Sequence, residues 1–81
     1  MDEKQKEKKE ILKFQKRFGS HLRDFRKERG LTPSELAKRC FMDTSNIARL
    51  EMGRINPSLF VLKKLAAGME VEIDELLRDF K

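Results

Sequence analysis

Thr44, Ser45, Ala48 and Arg49 share the side of the segment 44–52, TSNIARLEM, that lies away from Ile47 and Leu50. Ile47 and Leu50 stand at i and i+3, so a helix here buries one face and offers the other. The offered face can hydrogen-bond, but it holds no acid–base or nucleophilic pair. Thr44 and Ser45 are short hydroxyls able to donate or accept at several base edges, and the Thr44 methyl can meet a thymine methyl. Arg49 offers the most directional contact. Its planar guanidinium can bond guanine O6 and N7 together, for about 1–3 kcal/mol of discrimination. Catalysis finds little to work with. His21 is the one histidine, Cys40 the one cysteine, and there is no Gly-rich phosphate loop. The residues point to a binding protein rather than an enzyme, with no metal and no cofactor.

The elements that must position this face are also legible. Thr32 is an N-cap type, Pro33 suits the first helical position, and Glu35 completes a capping box. Leu36, Ala37 and Cys40 recur at helical spacing and form a buried face, on which Cys40 is a small core residue. Asp43 is placed to cap the next helix, and Gly53 to end it. Met42 reads as a plug between the two. Two short helices joined by a turn of about three residues, over about 33–52, have the layout of a helix-turn-helix, whose second helix enters the major groove. The N-terminus of its first helix offers N–H groups and partial positive charge to a phosphate, and Thr32 and Ser34 add hydroxyls.

The segments LTPSELAKRC, LEMGRINPSL and KLAAGMEVEIDELL carry a closer likeness. Through them the chain resembles the Cro/repressor-type helix-turn-helix family over roughly residues 18–80. The resemblance implies an all-α, five-helix, lambda-repressor-like DNA-binding domain. It implies a sequence-specific transcriptional regulator of double-stranded DNA, usually a repressor, working as a homodimer on a palindromic operator. Thr44, Ser45, Ala48 and Arg49 fall on its base-reading positions. Arg54, Asn56 and Ser58 match its phosphate contacts, with Asn46 at the edge of the recognition helix. An ion pair between Arg26 and Glu51 is implied too, holding the recognition helix against the first. The chain departs from the family at Phe41 and Glu70, where glycine is usual. Phe41 must either take a left-handed conformation and pack over the turn, or give the turn another shape. Pro33 stands in place of a phosphate-binding Gln, Thr44 in place of a base-reading Gln, and Met52 in place of Asn.

The flanks admit more than one reading. Residues 1–18 form a charged N-terminal helical extension and 19–81 the helix-turn-helix domain. Ile11, Phe14, Phe18, Leu22 and Phe25 are spaced 3, 4, 4 and 3, one stripe that predicts a long first helix over about 5–29. The alternative is a helix from near residue 16 behind a disordered arm. Gly19 weakens the long helix, and Ser20 is an alternative cap. The apolar stripe can fold onto its own domain, meet a second subunit, or belong to a basic arm laid along DNA. Asn56-Pro57 is a turn and Ser58 caps a fourth helix, whose buried face is Leu59, Leu62, Leu65, Ala66 and Met69. Phe60 falls outside that face, so Phe14, Phe60 and Phe80 are the dimer candidates. A last short helix is capped around Glu72 and turns Ile73, Leu76 and Leu77 inward.

Composition sets the bounds. Eighty-one residues allow one domain with a modest core. Net charge is +5, and the excess lies in the first two thirds. Residues 1–18 hold seven Lys/Arg against four Asp/Glu, residues 19–54 eight against five, and residues 55–81 four against five. That distribution suits a phosphate-facing half. A single cysteine points to a reducing compartment, and no apolar run approaches the ~20 residues of a membrane span, so the expectation is a cytoplasmic, nucleoid-associated protein. The rival reading keeps the fold without DNA: a protein-interaction module, favoured by Met52, Pro33 and an exposed Phe60. An antitoxin or a restriction-modification controller are narrower variants of the DNA-binding one.

Overall fold

The computed structural model describes residues 2–80 and is all-helical there. Five helices follow one another: α1 Glu3–Glu28, α2 Pro33–Cys40, α3 Thr44–Glu51, α4 Leu59–Gly68 and α5 Ile73–Leu77. The long first helix is continuous, with no break near residue 16. Asp2 starts it, its carboxylate accepting the Gln5 N–H at 2.9 Å. Buried Phe18, Leu22, Leu36, Ile47, Leu50, Leu65 and Leu76 form the core where the helices cross.

Four of the helices end the same way. A residue in the left-handed region reverses the chain, and the next N–H reaches five residues back. The reversals lie at Gly30, Phe41, Gly53 and Glu70. The bonds run from Leu31 to Arg26, Met42 to Ala37, Arg54 to Arg49 and Val71 to Ala66, at 2.9–3.3 Å. This satisfies carbonyls that a helix end leaves unpaired. Phe41 takes φ 55° and ψ 46°, so the helix-turn-helix reversal keeps its shape without glycine. The expected packing of Phe41 over the turn does not occur. Phe41 is 89% exposed, with no element packed over it. Met42 instead covers the junction, half-buried against the core.

Gly19 and Gly68 serve close packing. A Cβ on Gly19 would lie 2.4 Å from the Leu50 carbonyl oxygen and 2.5 Å from that of Glu51. One on Gly68 would lie 2.5 Å from Cys40 Sγ. The first lets α1 rest on the C-terminal end of α3, and the second seats α4 on α2. Gly19 is therefore not a helix boundary, and Ser20 caps nothing.

The α4 face differs from expectation at its start. Ser58 Oγ accepts the Val61 N–H at 3.1 Å, and Leu65, Ala66 and Met69 are buried with Leu62 half-covered. Leu59 is 72% exposed. It lies on the same stripe, but one turn before any neighbour can cover it. At the other end of the chain, Phe80 closes edge-on against Phe14 and Phe18, with ring centroids 5.4 and 5.8 Å apart. The N-terminal stripe thus folds partly onto its own domain, while Phe14 and Ile11 stay 49% and 41% exposed. Among the described residues no helix is long and apolar enough to cross a membrane.

Candidate nucleic-acid interface

Ile47, Leu50 and Glu51 anchor α3. The opposite side presents Thr44, Ser45, Ala48, Arg49 and Met52, all exposed. Asp43 occupies the N-cap position, but its carboxylate accepts no capping hydrogen bond. Its carbonyl takes the Asn46 and Ile47 N–H groups instead. The first N–H groups of α3 therefore stay open at the end that carries Thr44 and Ser45. Asn46 and Arg49 come together: Arg49 Nη1 donates to Asn46 Oδ1 at 2.7 Å. One edge of the guanidinium is thereby aimed along the helix, and its remaining N–H groups are free to donate.

The joint behind α3 is a fork. Arg26 Nε and Nη2 donate to Glu51 Oε2 and Oε1 at 2.6 and 2.9 Å, and Nη1 donates to the Leu31 carbonyl at 2.8 Å. Both residues are buried. Hydrogen bonding to Glu51 holds the Arg26 guanidinium more firmly protonated than usual, against an opposing effect of burial. One charged cluster thus ties α1, the α1–α2 turn and α3 together, with Arg23 Nε adding a contact 4.0 Å from Glu51.

The start of α2 is more occupied than its sequence suggests. Thr32 N–H donates to Glu35 Oε1 at 3.0 Å, and Glu35 N–H donates to Thr32 Oγ1 at 3.1 Å. Leu36 N–H bonds the Thr32 carbonyl, and Pro33 has no N–H to give. Among the first N–H groups only that of Ser34 is left for an anion. The Thr32 and Ser34 hydroxyls are exposed, and each keeps its own proton to donate. Hydrogen bonding from Thr32, backbone and side chain, holds the Glu35 carboxyl below its ordinary range. A phosphate docking here therefore meets a carboxylate.

On the far side of α3, Arg54 is exposed. The Ser58 hydroxyl caps α4 and retains its proton. Asn56 lines a groove with Glu7, Glu10, Ile11 and Phe14, a setting less suited to phosphate than an open loop. Two residues that sequence reasoning passed over, Gln15 and Lys16, fix this loop. Buried Gln15 donates from Nε2 to the Gly53 carbonyl at 3.0 Å, and a Cβ on Gly53 would strike the Lys16 backbone at 2.7 Å. The signal for Gln15 was a polar residue four after Ile11 and three before Phe18, on the buried stripe. Cys40 is buried, and burial raises its thiol pKa. His21 approaches the Leu76 carbonyl at 2.6 Å, tying α1 to α5.

Comparison with known proteins agrees with this geometry. The helix-turn-helix family model HTH_3 matches residues 22–76. An uncharacterised HTH-type transcriptional regulator of Archaeoglobus fulgidus is 37% identical over 57 residues, covering 70% of this chain and 81% of that protein. Control protein C.MunI of Mycoplasma sp. is 33% identical over 66 residues, 80% of this chain and 89% of that protein. The crystal structure of the restriction-modification controller protein C.AhdI from Aeromonas hydrophila superposes with a TM-score of 0.72 at 36% identity, covering 75% of this chain and 92% of that one.

Proposed function

Because the chain belongs to the HTH_3 helix-turn-helix family of Cro/repressor type, we propose that it is a DNA-binding transcriptional regulator that reads a two-fold symmetric operator with α3 as a homodimer. The observation that carries the reading is the exposed face of α3, with Arg49 set by Asn46 and the helix held from behind by the Arg26–Glu51 fork. Thr44, Ser45, Ala48 and Arg49 read bases. Thr32, Ser34, Asn46, Arg54, Asn56 and Ser58 hold phosphates. Arg54 carries most of that anchoring, because the α2 end has one open N–H beside Glu35 and Asn56 sits beside Glu7 and Glu10. Repression follows from occupying the operator, and the work is done in the cytoplasm on the nucleoid. Residues 1–18 act as an extension of the binding domain proper.

The dimer reading is supported by Leu59 and Phe60, adjacent and 72% and 66% exposed at the start of α4. An apolar groove of about 520 Å³, lined by Phe14, Pro57, Leu62, Leu77 and Phe80 among others, is a second open apolar surface. Half-sites then stand about one helical turn of DNA apart.

The test is selection of bound duplexes from a random library, followed by a salt titration on the winner. A two-fold symmetric motif whose affinity falls steeply with salt is the expected result. Absence of any enriched motif, with weak salt-sensitive binding alone, would remove the sequence-specific reading and leave a protein-interaction module.

A further inference from the structure

The continuous α1 carries one line of cations apart from a mixed-charge face near its start, where Lys4 and Lys6 lie beside Glu3, Glu7 and Glu10. Lys9, Lys16 and Arg23 follow at intervals of seven, with Lys13 and Lys27 beside them, and all five are exposed. Seven residues are nearly two turns, so the three form one line along the helix. Glu3, Glu7 and Glu10 recur at spacings of four and three on another face, where Glu7 and Glu10 border the groove that holds Asn56. Among the described residues none of the four lysines has a carboxylate within 4.0 Å, and Arg23 has only the contact with Glu51 at that limit.

The contacts along α1 place this line at the C-terminal end of α3, beside the loop that carries Arg54. Arg23 reaches toward Glu51 at the C-terminal end of α3. The Lys16 backbone abuts Gly53, between exposed Met52 and exposed Arg54. Lys9 continues the same line about 10 Å beyond Lys16, at a rise of 1.5 Å per residue. From Arg23 to Lys9 the line spans about 21 Å.

We propose that the extension of α1 is a second phosphate rail, in which Lys9 and Lys16 hold the DNA backbone beyond the reach of Arg54, with Arg23 at its inner end. The inference rests on the DNA-binding reading and adds a site outside the helix-turn-helix. Mobile ammonium groups on a rigid helix neutralise phosphates without reading bases. The rail therefore adds affinity equally for every sequence and leaves operator choice to α3. It also offsets the weak anchoring at the start of α2, where Pro33 and Glu35 leave one open N–H.

The test compares two double variants of equal charge change in the full chain. One is Lys9→Gln with Lys16→Gln on the rail. The other is Lys63→Gln with Arg78→Gln, on α4 and just after α5. Gln matches Lys in helix propensity, and circular dichroism checks that both variants keep the fold. Affinity is measured for the selected operator and for a scrambled duplex across a salt series. The rail variant is expected to lower the salt slope by about 1.8, or roughly 0.9 for each of two phosphates, on both duplexes, with the selected motif unchanged. The control variant keeps the wild-type slope. A rail variant with the wild-type slope overturns the proposal, as does an equal fall in the control, which would mark a net-charge effect. Failure of the wild-type chain to bind any selected duplex removes the regulator reading and the rail together. Steep, specific wild-type binding that is indifferent to the rail variant removes the rail alone.

Discussion

Arg49 and Arg54 carry the same charge on the same surface, yet their settings separate their tasks. Arg49 lies on α3 with one edge fixed by Asn46 at 2.7 Å, so in the proposed role its fork would need little further ordering to meet a base. Arg54 follows the left-handed Gly53 and leaves the helix. Arg49→Ala is expected to cost about 1–3 kcal/mol on the operator and to relax one base position, whereas Arg54→Ala weakens all duplexes alike. Repeating the library selection with each variant checks this, and equal sequence-blind losses would remove Arg49 as the reader. Glu35 presents the opposite problem, a negative charge where a phosphate should dock. Glu35→Gln keeps the reciprocal capping bonds, since Gln serves at that position. It is expected to tighten DNA binding several-fold at low salt, read as Kd by fluorescence anisotropy. Stability of the Gln variant should fall modestly at neutral pH, and the difference should vanish in acid. The folded Glu35 carboxyl titrates below its unfolded value, so its stabilising effect is complete above about pH 4.3 and is lost as pH falls through the folded value. The Gln variant lacks that contribution to the acid-side decline. Unchanged affinity would mean that no phosphate approaches the start of α2.

Among the helices, the joints decide more than the helices themselves. Phe41 sits left-handed with its ring in solvent, so it bears the strain of that conformation and gains no packing in return. Phe41→Gly is expected to stabilise the protein by about 1 kcal/mol, less than the full 1–2 kcal/mol of relieved strain because glycine makes the unfolded chain freer. A rise in thermal midpoint reads it, and a fall would show that the ring supports the turn. The Arg26–Glu51 fork acts in the other direction. Glu51→Ala leaves the Arg26 guanidinium buried beside the Leu31 carbonyl alone, and is expected to cost about 3–5 kcal/mol in urea denaturation. Replacing both partners with apolar residues should cost less, and equal losses in single and double variants would mean that the charge is not stranded. These joints also mark where the sequence was readable. The Thr32–Pro33–Glu35 box was legible because capping is local chemistry within four residues, and the α1 stripe because its period is helical. Gly19 read only as a weak helix residue, since its purpose lies in Leu50 and Glu51 carbonyls that come near after folding. Asp43 stands at the expected cap position without a side-chain bond, and Leu59 was misjudged, for related reasons. A cap-type residue need not make its bond, and an apolar residue on the right stripe stays exposed when no element lies across from it.

For the molecule as a whole, the question is what covers the apolar surface that five helices leave open. Phe80 covers part of the N-terminal stripe, so dimerisation is not needed to explain Phe18. Leu59 and Phe60 remain outside at the start of α4, where Lys64 lies 5.9 Å from the Phe60 ring centroid. A symmetric contact through Phe60 would set two copies of α3 facing one side of a duplex, the arrangement a palindrome requires. Phe60→Asp introduces a charge at that contact without entering the core, so the fold should persist by circular dichroism. Two carboxylates would then oppose each other across the two-fold axis. Sedimentation at micromolar concentration should show a dimer for the wild-type chain and a monomer for the variant. Operator binding should weaken, because each half-site must then be held by a single domain rather than by a linked pair. A wild-type chain that stays monomeric both alone and on DNA would refute the symmetric reading. A variant that still dimerises would move the interface to the groove between Phe14 and Phe80.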